Sequence, residues 1–276
     1  MTEEFKWDLE ADVVVLGSGG AAMTAAISAY DFGAKDVVIL EKSGMVGGTT
    51  AMSGGMLWIP NNHHQHEEGL EDSDEEVVTY LDSLAPGALD PETLWAFMQN
   101  GPETIRYLAD KTPVRLRAFK DFPDYQPYSP GAKPDGGRSL DNEAFPFETL
   151  GKWATRVNPS KMAYPLRGSL MEAIQGTLDE NTLAERERGD YRGLGQALAG
   201  ALFKAVLDRN IPVEFEKRAR KLVKDGDRVI GVIAEDAEGR DFRVRARRGV
   251  VIATGGFEWN EMLVKTFIRG PLTGPV

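Results

Sequence analysis

Residues 17–22 read Gly17-Ser18-Gly19-Gly20-Ala21-Ala22, the spacing G-x-G-x-x-A, and Glu41 follows Gly17 by 24 residues. Such a pattern works through bare backbone. The first glycine makes the turn, Gly19 lets a diphosphate touch N–H groups at the positive end of a helix, and Glu41 accepts from ribose hydroxyls. The pattern has that meaning only between a strand and a helix. Residues 12–16 are a continuous β-branched apolar run, as in a strand buried on both faces of a parallel sheet. Residues 21–30 are Ala-rich and helix-compatible, Gly33 supplies a stop, and residues 36–40 form a second buried strand. A β-α-β unit therefore opens the chain.

Directly after the ribose acid comes Gly47-Gly48-Thr49-Thr50-Ala51-Met52-Ser53-Gly54-Gly55. Two glycine pairs flanking three hydroxyls can wrap a polar, planar or phosphorylated ligand with backbone donors. A nicotinamide domain would ordinarily continue here into another helix and strand. Residues 44–55 lack periodicity and read as loop or tight backbone approach, and Trp58-Ile59-Pro60 follows at once, poorly suited to a floppy tether.

Other candidate chemistry is weaker. His63, His64 and His66 run into Glu67-Glu68 on what reads as a solvated loop, and H-E-x-x-H fails at Leu70, so no metal site is expected. Trp153 follows Gly151-Lys152, which excludes a Walker loop, and no G-x-S-x-G elbow occurs. The acidic run at 67–76 reads as an exposed face.

Composition bounds the class. A chain of 276 residues with net charge −11 disfavours nucleic-acid and anionic-lipid partners. Having no Cys, it has no disulfide, thiolate metal site or Cys nucleophile. The acidic start and the absence of a long apolar stretch read as a cytoplasmic protein with no integral membrane segment.

The elements that must position these residues follow from pattern. Residues 60–192 form a long mixed insertion, with helices opening after Ser73 and at Asp90-Pro91 and an ordered, aromatic-rich loop over 119–146. Residues 193–209 carry Leu194, Leu198, Leu202 and Val206 at i, i+4 spacing, an amphipathic helix. Alternating runs at 219–224, 228–235 and 241–246, punctuated by Asp225-Gly226 and Glu238-Gly239, predict a three-stranded antiparallel meander. Residues 249–253 are one more buried strand, ended by Thr254-Gly255-Gly256.

The segments GSGGAAMTAA, EKSGMVGGTTAMSGGMLWIPNN and VVIATGGFEWN, in this order around a meander, resemble the FAD-binding half of the fumarate reductase flavoprotein superfamily. Within it, TAMSGGMLWIPNN and PDYQPYSPGAKPDGGRS are most similar to 3-ketosteroid Δ1-dehydrogenases. The resemblance implies an α/β, Rossmann-like FAD-binding domain of glutathione-reductase type, with a parallel sheet, an antiparallel meander and a helical insertion. Residues 1–276 would be its first segment, the catalytic domain and closing segment lying beyond this length. It further implies Gly17, Ser18, Gly19 and Gly20 at the pyrophosphate, and Glu41 with Lys42 around the adenosine ribose. Gly48, Thr49, Thr50, Ser53, Gly54 and Gly55 would face the ribityl chain and flavin. Ala219 would pair with adenine through its backbone, although Lys217-Arg218 replace the small polar residues usual beside it. Ala253, Thr254 and Gly255 would form the second approach to the cofactor. Tyr125 matches the first of two adjacent family tyrosines and would reach the steroid-side active site; Gln126 replaces the second. The implied activity is oxidation of a CH–CH bond beside a carbonyl, with a steroid or other ketone as substrate and an external electron acceptor. An enoate reductase and a non-catalytic FAD-binding module are the alternatives.

Overall fold

The computed structural model describes residues 6–160, 166–268 and 270. The apolar run extends upstream as β1 (Leu9–Leu16), followed by α1 (Gly20–Asp31) and β2 (Val37–Leu40). Alternate β1 residues feed opposite cores, since Val15 points to one side of the sheet and Val14 and Leu16 to the other. Gly33, at φ +97°, ends the helix by donating to the Tyr30 carbonyl at 3.1 Å.

The 44–55 stretch is more regular than its composition implies. It folds as a single helical turn, α2 (Gly48–Met52), with Gly47 at φ +103° as its N-cap. Next come β3 (Leu57–Trp58), α3 (His63–Glu67), α4 (Asp74–Leu84) and α5 (Pro91–Lys111). Ser73 and Asp90 cap the last two by accepting from the amides of Glu76 and Thr93, as their residue types require.

The insertion continues through β4 (Leu116–Lys120), β5 (Gly136–Asn142), β6 (Phe145–Pro146), a 3-10 segment (Phe147–Arg156), α6 (Leu170–Gln175), α7 (Glu180–Arg188) and β7 (Tyr191–Arg192). The aromatic-rich loop thus contains a strand: β5 is buried throughout and pairs antiparallel with β3 and β4. Its polar sequence, GGRSLDN, hid it.

Last come α8 (Leu194–Asp208), β8 (Val213–Glu214), β9 (Arg218–Asp225), β10 (Arg228–Glu235), β11 (Asp241–Ile252) and α9 (Glu261–Phe267). The main sheet runs β8-β2-β1-β11-β10-β9. Its first four strands are parallel, and β11, β10 and β9 form the meander. The last two predicted strands, 241–246 and 249–253, are one 12-residue strand that is antiparallel to β10 and parallel to β1. Charged residues at 245, 247 and 248 obscured that continuity because they lie at its exposed positions.

Helix α8 is buried nearly all round rather than amphipathic, wedged among α1, α2 and the insertion. Ile105 and Leu108 of α5 and Phe147 share one core with Met23, Ile27 and Leu202, so the insertion is not a separate globule. Asp31 links three helices: it accepts from both arms of Arg209 at 2.8 and 2.7 Å and from the Tyr107 hydroxyl at 2.7 Å.

Candidate functional site

Strands β1, β2 and β11 are parallel and end together at Leu16, Leu40 and Ile252, the edge of an α/β sheet at which ligands bind. The turn after β1 fills that edge. Gly17 donates to the Leu40 carbonyl at 2.8 Å, and Ala253 donates to the Leu16 carbonyl at 3.0 Å. Gly17 stands at φ +99°, and a Cβ there would lie 2.5 Å from the Ala253 carbonyl oxygen. Only glycine fits.

Gly19 then caps α1 without a side chain, and the first turn of α1 carries no acid. Its amide end is therefore open to an anion. Ser18 is buried and donates to Glu41 Oε2 at 2.5 Å, while the Ser43 amide donates to Oε1 at 2.9 Å. Both contacts orient the carboxylate, and each oxygen keeps a lone pair for a sugar hydroxyl.

The second glycine segment interlocks with the first. Gly47 donates to the Ser18 carbonyl at 2.9 Å, Gly20 donates to Thr50 Oγ1 at 3.0 Å, and Gly48 lies against Gly19. The Thr50 hydroxyl therefore braces the diphosphate turn. Thr49 instead faces the chain beyond Gly255, donating to Glu258 Oε1 at 3.1 Å and accepting from Trp259 Nε1 at 3.3 Å. Ser53 turns back to accept from the Gly55 amide at 3.0 Å. Gly55 is buried, its carbonyl accepts from Asn142 Nδ2, and a Cβ on it would meet Gly195 N at 2.6 Å, so its bare backbone serves packing against α8. Gly54, Lys42, Thr254 and Gly255 are exposed.

Ala219 reaches the same edge from the meander, because the connector into β9 runs along the end of β2. Glu41 donates to the Glu214 carbonyl at 2.9 Å, Lys217 to the Glu41 carbonyl at 2.9 Å, and Glu216 to the Ser43 carbonyl at 3.1 Å. The glycine turn, Glu41, the α2 turn, Ala219 and Ala253 are thus assembled on one sheet edge. This donor set, with anion-seeking amides at one point and a fixed carboxylate beside it, fits the adenosine diphosphate part of a dinucleotide.

Tyr125 stands apart; among the described residues no hydrogen bond joins it to the glycine cluster. It is 85% exposed and Tyr128 is fully exposed. Between and beneath them lies a buried charge cluster that sequence reading missed. Arg138 donates from Nε and Nη2 to Asp72 at 2.8 and 2.7 Å, and from Nη1 to Asp124 Oδ2 at 2.9 Å. Burial pushes the Asp72 carboxyl up, but the Arg138 hydrogen bonds and charge outweigh it and hold the pKa below the ordinary value. Asp72 and Arg138 are too far apart in sequence for any local signal to pair them.

The histidine segment is a five-residue helix rather than a solvated loop, capped by Asn62 Oδ1 accepting from the Gln65 amide. His63, His64 and Glu67 bring ligand-capable atoms within 4.8 Å of one another. Burial is the main cause of a lowered His63 pKa.

Residues 12–275 match the family described as FAD binding domain. The chain is 34% identical to 3-oxosteroid 1-dehydrogenase of Mycobacterium tuberculosis (strain ATCC 25618 / H37Rv), over 96% of this chain and 50% of that protein. It is 37% identical to 4-oxocyclohexanecarboxylate 2-dehydrogenase of Sinomonas cyclohexanicum, over 95% of this chain and 46% of that protein. The solved 3-ketosteroid delta1-dehydrogenase from Sterolibacterium denitrificans, in complex with 1,4-androstadiene-3,17-dione, superposes at TM-score 0.82 and 30% identity, covering 95% of this chain and 50% of that one. The chain spans about half the length of the curated relatives it matches. No helix among the described residues is long and apolar enough to cross a membrane. With its glycine turn, ribose-side acid and sheet topology in agreement with that match, the chain belongs to the FAD-binding domain family, and its cofactor is FAD.

Proposed function

We propose that the chain is the FAD-binding part of a dehydrogenase that oxidises a CH–CH bond beside a ring ketone, a 3-ketosteroid being the first candidate. The observation that carries this reading is the interlocked pair of glycine segments around Ser18 and Glu41; the ketone class rests on the relatives above. In this proposal the Gly19 amide and the open end of α1 hold the diphosphate, on a turn that the Gly20–Thr50 hydrogen bond braces, Glu41 holds the adenosine ribose with Lys42 at its exposed edge, and the Ala219 backbone meets adenine. Gly48, Thr49, Ser53 and Gly54 lie toward the flavin, and Thr50 and Gly55 keep the loop in place. Ala253, Thr254 and Gly255 line the second approach.

When bound, FAD supplies a hydride acceptor. The chain's own tasks are to hold that group in one pose, to exclude water beneath it with Gly17 and Ala253, and to offer the Tyr125 hydroxyl to a substrate proton or carbonyl. Positioning is the larger part of such catalysis, because dehydrogenation needs proton removal and hydride departure in one geometry. The proposal assigns turnover to a polypeptide that also contains the remainder of the relatives' length, with residues 1–276 as the first segment of a discontinuous domain.

Three results are expected. Glu41→Ala should weaken FAD binding about tenfold to a hundredfold, the value of a charge-assisted hydrogen-bond pair, read by equilibrium titration with flavin fluorescence. In dye-reduction assays with 4-androstene-3,17-dione, the chain alone should be inactive and the chain joined to a catalytic half should turn over. In that longer protein Tyr125→Phe should lower kcat about 10²- to 10⁴-fold, the usual worth of proton-transfer assistance, with FAD content intact. Robust turnover by the 276-residue chain alone would sink the division of labour, and an inactive longer protein would sink the ketone assignment.

A further inference from the structure

Residues 121–136 carry Tyr125 and Tyr128 outward into solvent, yet the backbone beneath them is held at nearly every step. Asp121 and Asp124 donate to the carbonyls of Asp135 and Lys133 at 2.9 and 3.1 Å, and Ala132 donates to Ser129 at 3.1 Å. The Gln126 amide donates to the Tyr80 hydroxyl of α4 at 3.3 Å. Gly131 packs so closely on α4 that a Cβ would lie 2.3 Å from the Glu76 carbonyl oxygen.

At the centre is Arg138, wholly buried. Its guanidinium joins Asp72, just before α4, to Asp124 and to the Gly131 carbonyl, the latter at 3.0 Å. Asp124 in turn accepts from Trp58 Nε1 at 2.6 Å and from the Lys133 amide at 2.9 Å. Trp58 lies six residues past the end of α2, so the same carboxylate ties the loop to the strand that leaves the glycine segment. The Arg138 guanidinium also lies 5.6 Å from the ring centres of both Trp58 and Tyr80.

A buried charged cluster is poor value for stability alone, because desolvation offsets much of the attraction. Its distinguishing property is geometric: a planar fork with fixed donor directions satisfies two carboxylates in only one arrangement. What that arrangement fixes here is the residue next to Asp124. The geometry points to Arg138 as a positioning residue that, through Asp124, holds the Tyr125 loop in a preformed conformation before substrate arrives. Tyr125 and Tyr128, both exposed, are then presented to a flat ring ketone from a fixed backbone. This rests on the reading of Tyr125 given under Proposed function.

The test uses Arg138→Lys, which keeps the charge but cannot bridge both aspartates, and Asp124→Asn as a second variant that keeps an acceptor for Trp58. Both are purified with FAD and digested with chymotrypsin well below their thermal midpoints. Cleavage after Tyr125 and Tyr128 should be slow in the parent chain and at least about tenfold faster in the variants, the factor lost with one charge-assisted hydrogen bond, while FAD content and cleavage elsewhere stay unchanged. Unchanged rates at these two sites, or a rise at all sites in step with the thermal midpoint, would overturn the inference.

Turnover on 4-androstene-3,17-dione by the protein joined to a catalytic half supplies a readout that general weakening would not mimic. Arg138→Lys should lower kcat, and Arg138→Lys combined with Tyr125→Phe should be no slower than Tyr125→Phe alone. Losses that multiply would show that Arg138 does not act through Tyr125. A protein without turnover removes the reading of Tyr125 and with it the catalytic consequence of the clamp, whereas the cleavage ratio still decides whether Arg138 holds the loop.

Discussion

Arg138→Met should cost about 3–5 kcal/mol of folding stability, the usual penalty for stranding buried carboxylates whose counter-charge has been removed. For a domain whose total stability is about 5–15 kcal/mol, that is a large fraction. Asp72 and Arg138 have fully buried side chains and Asp124 is 2% exposed, so water cannot take over the lost contacts, and the cation that stays, Lys133, stands 3.8 Å from Asp72 Oδ1. Denaturant unfolding of the parent and the variant measures the effect, and a difference below about 1 kcal/mol would mean that solvent reaches the cluster after all.

The same cluster has an acid signature. Because the folded-state pKa of Asp72 is depressed, its contribution is present above the unfolded aspartate value of 3.8 and is lost as pH falls through the lower folded value. Acid unfolding should therefore shift to lower proton demand in Asp72→Asn, with a shallower stability-versus-pH slope below pH ~4.

Gly17→Ala is the second large expectation. At φ +99° a non-glycine residue is strained by about 1–3 kcal/mol, and the added methyl would also drive into the Ala253 carbonyl, 2.5 Å away. Relief requires the turn and the end of β11 to separate, and both flank the diphosphate position. FAD affinity should fall by about a hundredfold or more, with the melting transition less affected than the binding. An FAD affinity within a fewfold of the parent would show that the turn is not where the cofactor binds.

Much of this site was readable because its chemistry is local. Gly17, Gly19 and Glu41 announce themselves by spacing, and their strand-turn-helix context confirms the pattern within thirty residues of chain. The structure brings these residues to one sheet edge and shows further contacts among them: Thr50 braces Gly20, Ser18 holds Glu41, and Gly55 makes room for α8. What pattern could not reach was non-local pairing. Strand β5 is polar because Arg138 and Asp141 are satisfied by partners from distant segments, Asp72 and the Met171 amide, so a buried strand looked like a loop. Strand β11 was divided because its arginines point outward, and α8 looked amphipathic because small residues conceal contact on every side. Tyr125 was legible only through family resemblance, and although Arg138 lies in the same resembling segment, its pairing with Asp72 has no local signal.

In the proposed function these residues form the adenosine diphosphate part of an FAD site. Equilibrium titration of the purified, nucleotide-stripped chain with FAD, ADP, FMN and NAD tests it most directly. FAD should bind, ADP should compete with it, and Glu41→Ala and Gly17→Ala should weaken both; FMN, which lacks the adenosine half, should not compete. Binding of FMN in place of ADP, or of NAD with no binding of FAD, would contradict it.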